Sequence, residues 1–345
     1  MRCLTLADAL LERGHSCVFL SRDLDGARHD AVRSRGHRLE VLEGNGEPFV
    51  PDESPPAHAA WLECGWQEDA RVTREALEQI EASVLIVDNY ALDRRWEEAV
   101  ALPGLRLAAI DDLADRPHAV SLLLDQNPGR TEADYNGLVS EDCLRLTGPD
   151  HALVGPQFAR LREESLCRRK EAKMEHIMVS MGGVDTDDAT SVVLDCLGTI
   201  RSTSIREVSV IMGRHAPHIH RVRTMASNLS LQVEVAVDVT DMAERMTRAD
   251  LAVGGAGVTA LERCSLGLPS IAVVLAENQR SGAIALRESG AALVVEEASE
   301  LAAQLPGLLE VMEKNELRER VSRVSAELVG VRGLQRVCEE LEGLA

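Results

Sequence analysis

The residues of this chain best placed to do chemistry lie in Val253-Gly-Gly-Ala-Gly-Val-Thr-Ala-Leu-Glu-Arg-Cys-Ser-Leu-Gly-Leu-Pro269 and in Ile271-Ala-Val-Val-Leu-Ala-Glu-Asn-Gln279 just after it. The pattern reads as a buried strand, a glycine-rich turn, a short helix, a second strand and a polar loop. Gly254, Gly255 and Gly257 permit backbone conformations and close approaches that a β-carbon would obstruct. Free N–H groups at the helix start, around Val258 and Thr259, make an anion site suited to a phosphate. One helical turn further in, Glu262 can accept hydrogen bonds from sugar hydroxyls. Asn278 and Gln279 end the next strand, where ligands of open α/β sheets collect. Together these features predict a nucleotide-sugar pocket. The alternative is a tight structural turn beside a solvated glutamate.

A second glycine turn, Val179-Ser-Met-Gly-Gly-Val-Asp-Thr-Asp-Asp188, has the same strand-to-helix character. Gly182 and Gly183 let the backbone approach a ligand, Asp185 can orient a hydroxyl, and Thr186 or Asp187 can cap the helix. The alternative is a plain turn with a capping aspartate. Tyr90 closes the run Val84-Leu-Ile-Val-Asp-Asn-Tyr90, where it can lie over a sugar, donate its hydroxyl, or simply pack. Asp111, Asp112, Asp115 and His118, with Asp125-Gln-Asn127, form a polar surround open to metal, general-base or turn-and-cap readings. His118 has no partner nearby in sequence. His215, His218 and His220 lie on or near one helix and read as a solvated face.

Strand-like runs alternate with helix-like segments almost throughout, the signature of parallel sheets covered on both faces. In the second half, strands are expected at His176–Ser180, Glu207–Met212, Gln232–Val237, Asp250–Val253, Ser270–Leu275 and Ala292–Val295. The first half offers Cys17–Leu20, Arg38–Val41, Val84–Asp88, Leu107–Ile110, Ser121–Leu124 and Cys143–Thr147. Gly44 to Pro56 reads as a loop, Gly148 to Leu161 as a hinge, and Glu313–Arg323 as a helix able to pack across both domains. The expected architecture is α/β and GT-B-like, with two doubly wound Rossmann-like domains facing a cleft. Residues 1–150 form the first domain, lacking its first strand, and 151–345 the second, with trailing helices.

Composition narrows the function. The 345 residues carry a formal charge of −20, which argues against nucleic acid or an anionic membrane as partner. The eight cysteines are scattered, with no metal-site spacing, so neither a metal nor a cofactor is expected. The chain has no apolar run of membrane-spanning length and no signal-peptide pattern, and we expect a cytoplasmic protein. Nothing in the sequence reports its oligomeric state.

Several segments, in order through both halves, resemble the PseG/SpsG family of UDP-sugar hydrolases of pseudaminic acid biosynthesis. They are Met1 to Leu10, Asp88-Asn-Tyr-Ala-Leu-Asp93, Asp111 to His118, Leu123-Leu-Asp-Gln-Asn127, Ser180 to Asp185, Gly254 to Thr259, Glu262 to Pro269 and Glu277-Asn-Gln279. That family cleaves UDP-2,4-diacetamido-2,4,6-trideoxy-β-L-altropyranose to UDP and free sugar. The resemblance implies that Gly182, Gly183, Gly257, Val258, Thr259 and Glu262 line the UDP site, with Glu262 at the ribose. It places Asn278 and Gln279 at the sugar and inner phosphate, and Tyr90 at the reacting centre. The family's opening strand and Gly-x-Gly-His turn, whose histidine is its candidate base, precede the segment that matches Met1. The expectation is that translation starts upstream, and that the chain beginning at Met1 is poorly stable and nearly inactive. The competing expectations are a glycosyltransferase using a UDP-sugar donor and a catalytically impaired nucleotide-sugar binding protein.

Overall fold

The computed structural model describes residues 1–24, 26–43, 56–170, 173–200 and 204–345. The loop expected at Gly44 to Pro56 therefore lies, up to residue 55, outside the described residues. The chain divides into two compact units, Met1–Leu153 with Arg332–Ala345, and Val154–Val331.

The first unit opens with helix α1 (Arg2–Glu12), whose Leu4, Leu6, Ala7 and Leu10 recur at helical spacing and are buried. There follow β1 (Val18–Arg22), α2 (His29–Ser34), β2 (Arg38–Leu42), α3 (Trp66–Glu78), β3 (Val84–Val87), α4 (Arg94–Val100), β4 (Arg106–Ile110), β5 (Leu122–Asp125) and β6 (Leu144–Thr147). All strand pairing here is parallel, but it falls into two sheets: β1 with β2, and a second in the order β3-β4-β5-β6. Within the second sheet β5 carries three leucines, Leu122 to Leu124, before Asp125, and all four residues are buried, as suits an interior parallel strand.

The second unit holds α5 (Pro156–Arg169), β7 (His176–Ser180), α6 (Ala189–Thr199), β8 (Glu207–Met212), α7 (Ile219–Asn228), β9 (Gln232–Val237), α8 (Met242–Arg248), β10 (Leu251–Gly255), α9 (Val258–Ser265), β11 (Ser270–Val273), α10 (Arg280–Ser289), β12 (Leu293–Val295), α11 (Leu301–Met312) and α12 (Asn315–Leu328). Its parallel sheet runs β12-β11-β10-β7-β8-β9, a doubly wound order that reverses direction between β7 and β10. Ile177, Val179, Val208, Val210, Leu251, Val253, Ile271 and Val273 build its core with almost no aromatic help.

Where the second unit has one six-stranded sheet, the described strands of the first unit form two separate sheets, β2-β1 and β3-β4-β5-β6. Among the described residues β1 pairs only with β2, and β3 only with β4. The charged helix α12 packs on α5, α9 and α11 of its own unit. Its residues 315–323 belong to the second unit. The final helix, α13 (Gly333–Leu344), joins the first unit instead: Leu334, Val337 and Leu341 share a core with Leu6 and Leu10 of α1. Part of the expected hinge is helical, since α5 begins at Pro156, a proline suited to a first helical position.

Candidate functional site

In the second unit both glycine loops leave the C-terminal ends of adjacent strands, β7 and β10, at the point where the strand order reverses. Ligands of doubly wound sheets bind in this crevice. Gly182 takes φ +90°, open to glycine at little cost, and both Gly182 and Gly183 are exposed with free space beside them. Val184 beside them is also exposed.

Asp185 is committed to the turn itself. Its carboxylate accepts hydrogen bonds from the N–H groups of Ala189 (2.9 Å) and Thr190 (3.1 Å), which starts α6. These bonds are those of the capping aspartate that stood as the alternative to a hydroxyl-orienting group, and the helix start is held by Asp185 where Thr186 or Asp187 was expected. Asp188 accepts from the Ser191 hydroxyl at 2.6 Å.

At the second loop Gly257 occupies the N-cap of α9, and no side chain caps that helix. No acidic residue stands in its first turn, so the positive end of the helix meets solvent at Val258 and Thr259 without a built-in counter-charge. The helix ends in a Schellman motif: Gly267 at φ +60° donates to Cys264 O, and Leu268 N–H donates to Arg263 O.

Glu262 is half-buried on α9, and burial pushes its carboxyl up to about 7 against a weaker downward pull from Arg263. Gln279 folds back so that its Oε1 accepts from Leu275 N–H (3.1 Å), while its Nε2 lies 3.5 Å from where a Gly257 Cβ would stand. The structure thus brings Gly257, Val258, Thr259, Glu262 and Gln279 into one neighbourhood. Asn278 sits next to Gln279 in a 3-10 turn, Glu277–Gln279.

The polar residues of the first unit form a separate network at the ends of β3, β4 and β5. The Tyr90 hydroxyl donates to Asp112, which also receives Arg2 Nη1 and Asn127 Nδ2, each at 2.8 Å. Arg2 reaches Asp88 as well, with Nη2 at 2.7 Å. Burial works to raise the Asp88 carboxyl, but the Arg2 charge and hydrogen bonds bring it below its ordinary value. Behind them, fully buried Asp125 accepts from Tyr135 (2.8 Å), and desolvation pushes its carboxyl up to about 6.

Asp111 is also buried and receives Arg116 and the Ala114 N–H, and it lies 2.9 Å from the Tyr135 hydroxyl, whose one proton serves either carboxylate. These aspartates are absorbed by arginines, tyrosines and amides. Among the described residues no group of three or more His, Cys, Asp or Glu is arranged to hold a metal ion. The rings of His58 and Trp61 lie 5.8 and 5.9 Å from that of Tyr90. Neither was anticipated, since both come from a segment without periodicity.

His118 does have a partner. Its Nδ1 lies 2.6 Å from Glu97 Oε1, and both side chains are almost fully buried. Twenty-one residues separate them, and only the packing of α4 brings them together. His218 sits 3.1 Å from Thr186 O through its Nε2.

The whole chain superimposes on the crystal structure of MurG from Acinetobacter baumannii with a TM-score of 0.70, covering 99% of this chain and 95% of that one at 14% identity. The fold is GT-B. Within the GT-B chain, residues 176–331 match the glycosyltransferase family 28 C-terminal domain, a span that holds both glycine loops. Two curated proteins are similar in sequence. The spore coat polysaccharide biosynthesis protein SpsG of Bacillus subtilis is 25% identical over 235 residues, 64% of this chain and 67% of that protein. A UDP-2,4-diacetamido-2,4,6-trideoxy-β-L-altropyranose hydrolase of Campylobacter jejuni is 24% identical over 208 residues, 60% of this chain and 72% of its own length. Among the described residues no helix of this GT-B chain is long and apolar enough to cross a membrane.

Proposed function

We propose that this protein binds a UDP-linked diacetamido-trideoxy sugar in its second unit and hydrolyses it to UDP and free sugar. The observation that carries the reading is the uncapped N-terminus of α9, standing beside Glu262 and Gln279 at the reversal of strand order. The diphosphate takes the amides at Gly257, Val258 and Thr259, while Gly182 and Gly183 leave room for backbone approach. Glu262 receives ribose hydroxyls, and Asn278 and Gln279 meet the inner phosphate and the sugar. Water attacks the anomeric carbon and releases a proton, the bond from that carbon to the phosphate oxygen breaks, and the electron pair leaves on UDP. We assign Asn278 to stabilising the departing diphosphate and Tyr90, held by Asp112, to turnover. The similarity to the Campylobacter jejuni hydrolase supports the choice of substrate.

The match of residues 176–331 to a glycosyltransferase domain favours a second reading, transfer of the sugar to an acceptor. One assay separates the readings: incubation with the UDP-diacetamido sugar and no acceptor. Release of free sugar together with UDP supports hydrolysis. Turnover only when an acceptor is added supports transfer. UDP binding without turnover under either condition identifies a binding protein, and no thermal shift with millimolar UDP overturns the nucleotide assignment.

A further inference from the structure

Among the described residues Arg263 is the largest of the fully buried side chains, 1% exposed on a helix most of whose residues are buried. Buried arginines elsewhere in the chain have clear partners. Arg22 meets Asp69, Arg116 meets Asp111, and Arg169 spans the carbonyls of Met246, Ala249 and Leu266. Arg263 has no carboxylate at ion-pair distance among the described residues. Its Nη2 donates to Gly255 O at 2.8 Å, and its Nε is buried with no hydrogen-bond partner.

The guanidinium lies directly behind the glycine loop. A Cβ on Gly254 would come 2.8 Å from Arg263 Nη1 and 2.6 Å from Ser180 O, so only glycine fits between the cation and β7. A guanidinium keeps its charge in proteins, and an isolated buried cation is costly unless something compensates it. Desolvation pulls the pKa of Arg263 down, and the opposing charges of Cys264 and Glu262 do not offset it. By donating to the Gly255 carbonyl, Arg263 also ties its guanidinium to the loop that leads into α9.

We propose that Arg263 is a positioning residue for the diphosphate: a buried cation one backbone layer behind the loop, whose missing counter-charge is the anion bound at the α9 N-terminus. The inference rests on the UDP site proposed above and deepens it. Arg263 touches no ligand. It acts through the loop's shape and through electrostatic attraction across a thin, poorly screened layer of protein.

The test compares UDP with uridine, which lacks the phosphates, by calorimetric titration of wild type, Arg263→Gln and Arg263→Lys. Wild type should prefer UDP. Arg263→Gln should lose UDP affinity on the order of tenfold while uridine affinity changes little. Arg263→Lys, which keeps the charge without the fork, should recover most of the UDP preference. If both ligands weaken by the same factor in Arg263→Gln, the side chain is merely structural and the inference falls. If circular dichroism shows Arg263→Gln unfolded, Arg263→Lys decides alone: a UDP-to-uridine ratio near wild type supports the inference, and its collapse overturns it. Wild type binding neither ligand overturns the underlying UDP assignment. Wild type binding UDP with Arg263→Gln unaffected overturns this inference only.

Discussion

Gly213, just past the end of β8, lies so close to Gly183 that a Cβ placed on it would overlap the Gly183 carbonyl oxygen and carbon. The exposed loop after β7 therefore rests on a glycine thirty residues away that no loop motif contains. Gly213→Ala should push this loop outward. We expect a destabilisation of about 1–3 kcal/mol, as for an overpacked site, together with weaker UDP binding. Denaturant unfolding and UDP titration check it, and wild-type values in both would show that the loop moves freely.

Glu262 gives a pH signature. Burial raises its carboxyl from the ordinary 4.5 to about 7, so the folded protein holds this proton more tightly than the unfolded chain. Its favourable contribution is whole below the unfolded value and is lost as pH rises through the folded one. Glu262→Gln should therefore gain stability relative to wild type between about pH 5 and about pH 8. Calorimetric melting across that range tests the sign, and a difference independent of pH would refute it. At neutral pH and above the same variant should bind UDP more weakly by about 1–3 kcal/mol, because a charged acceptor is gone.

Glu97 holds His118 and also receives the Ala119 N–H, all inside the first unit. Glu97→Ala leaves both donors buried without an acceptor and should cost about 3–5 kcal/mol. Glu97→Gln keeps an acceptor and should cost less. A loss in Glu97→Ala below the error of chemical denaturation would show that water replaces the carboxylate.

Tyr90→Phe removes one hydrogen bond to Asp112 and leaves Arg2 and Asn127 in place. The stability cost should stay near 1.5–3 kcal/mol, typical of a bond to a charged group. The proposed role in turnover predicts a fall in kcat with little change in UDP affinity. Loss of UDP affinity without loss of kcat would remove Tyr90 from the chemistry.

The sequence made the alternation legible because parallel strands such as Leu122–Asp125 and Ser270–Val273 each carry three consecutive apolar residues and are punctuated by glycine and capping residues. The loops after β7 and β10 were legible for the same local reason, since backbone geometry depends on neighbours in the chain. What escaped depends on distance or on burial. Arg2 meets Asp88 and Asp112 across 86 and 110 residues, which no spacing rule reaches. Arg263 stands between Glu262 and Cys264 on a helix, where an arginine ordinarily reads as a solvated face. Asp185 was read for its carboxylate chemistry, but the same group equally satisfies a helix start, and backbone geometry chose the cap.

The split between β1–β2 and β3–β6 bears on how the protein behaves in solution. Strand edges with open hydrogen-bonding rows are templates for other chains, and the Val84, Leu85 and Ile86 side chains of β3 are half-exposed despite being apolar. Among the described residues one edge each of β1 and β3 has no strand partner, a place where an extended segment of a second copy can add. The charge of −20 opposes such association by mutual repulsion. Salt screens that repulsion. Raising ionic strength should thus bring concentration-dependent association through the strands, with light scattering rising before any loss of helix signal.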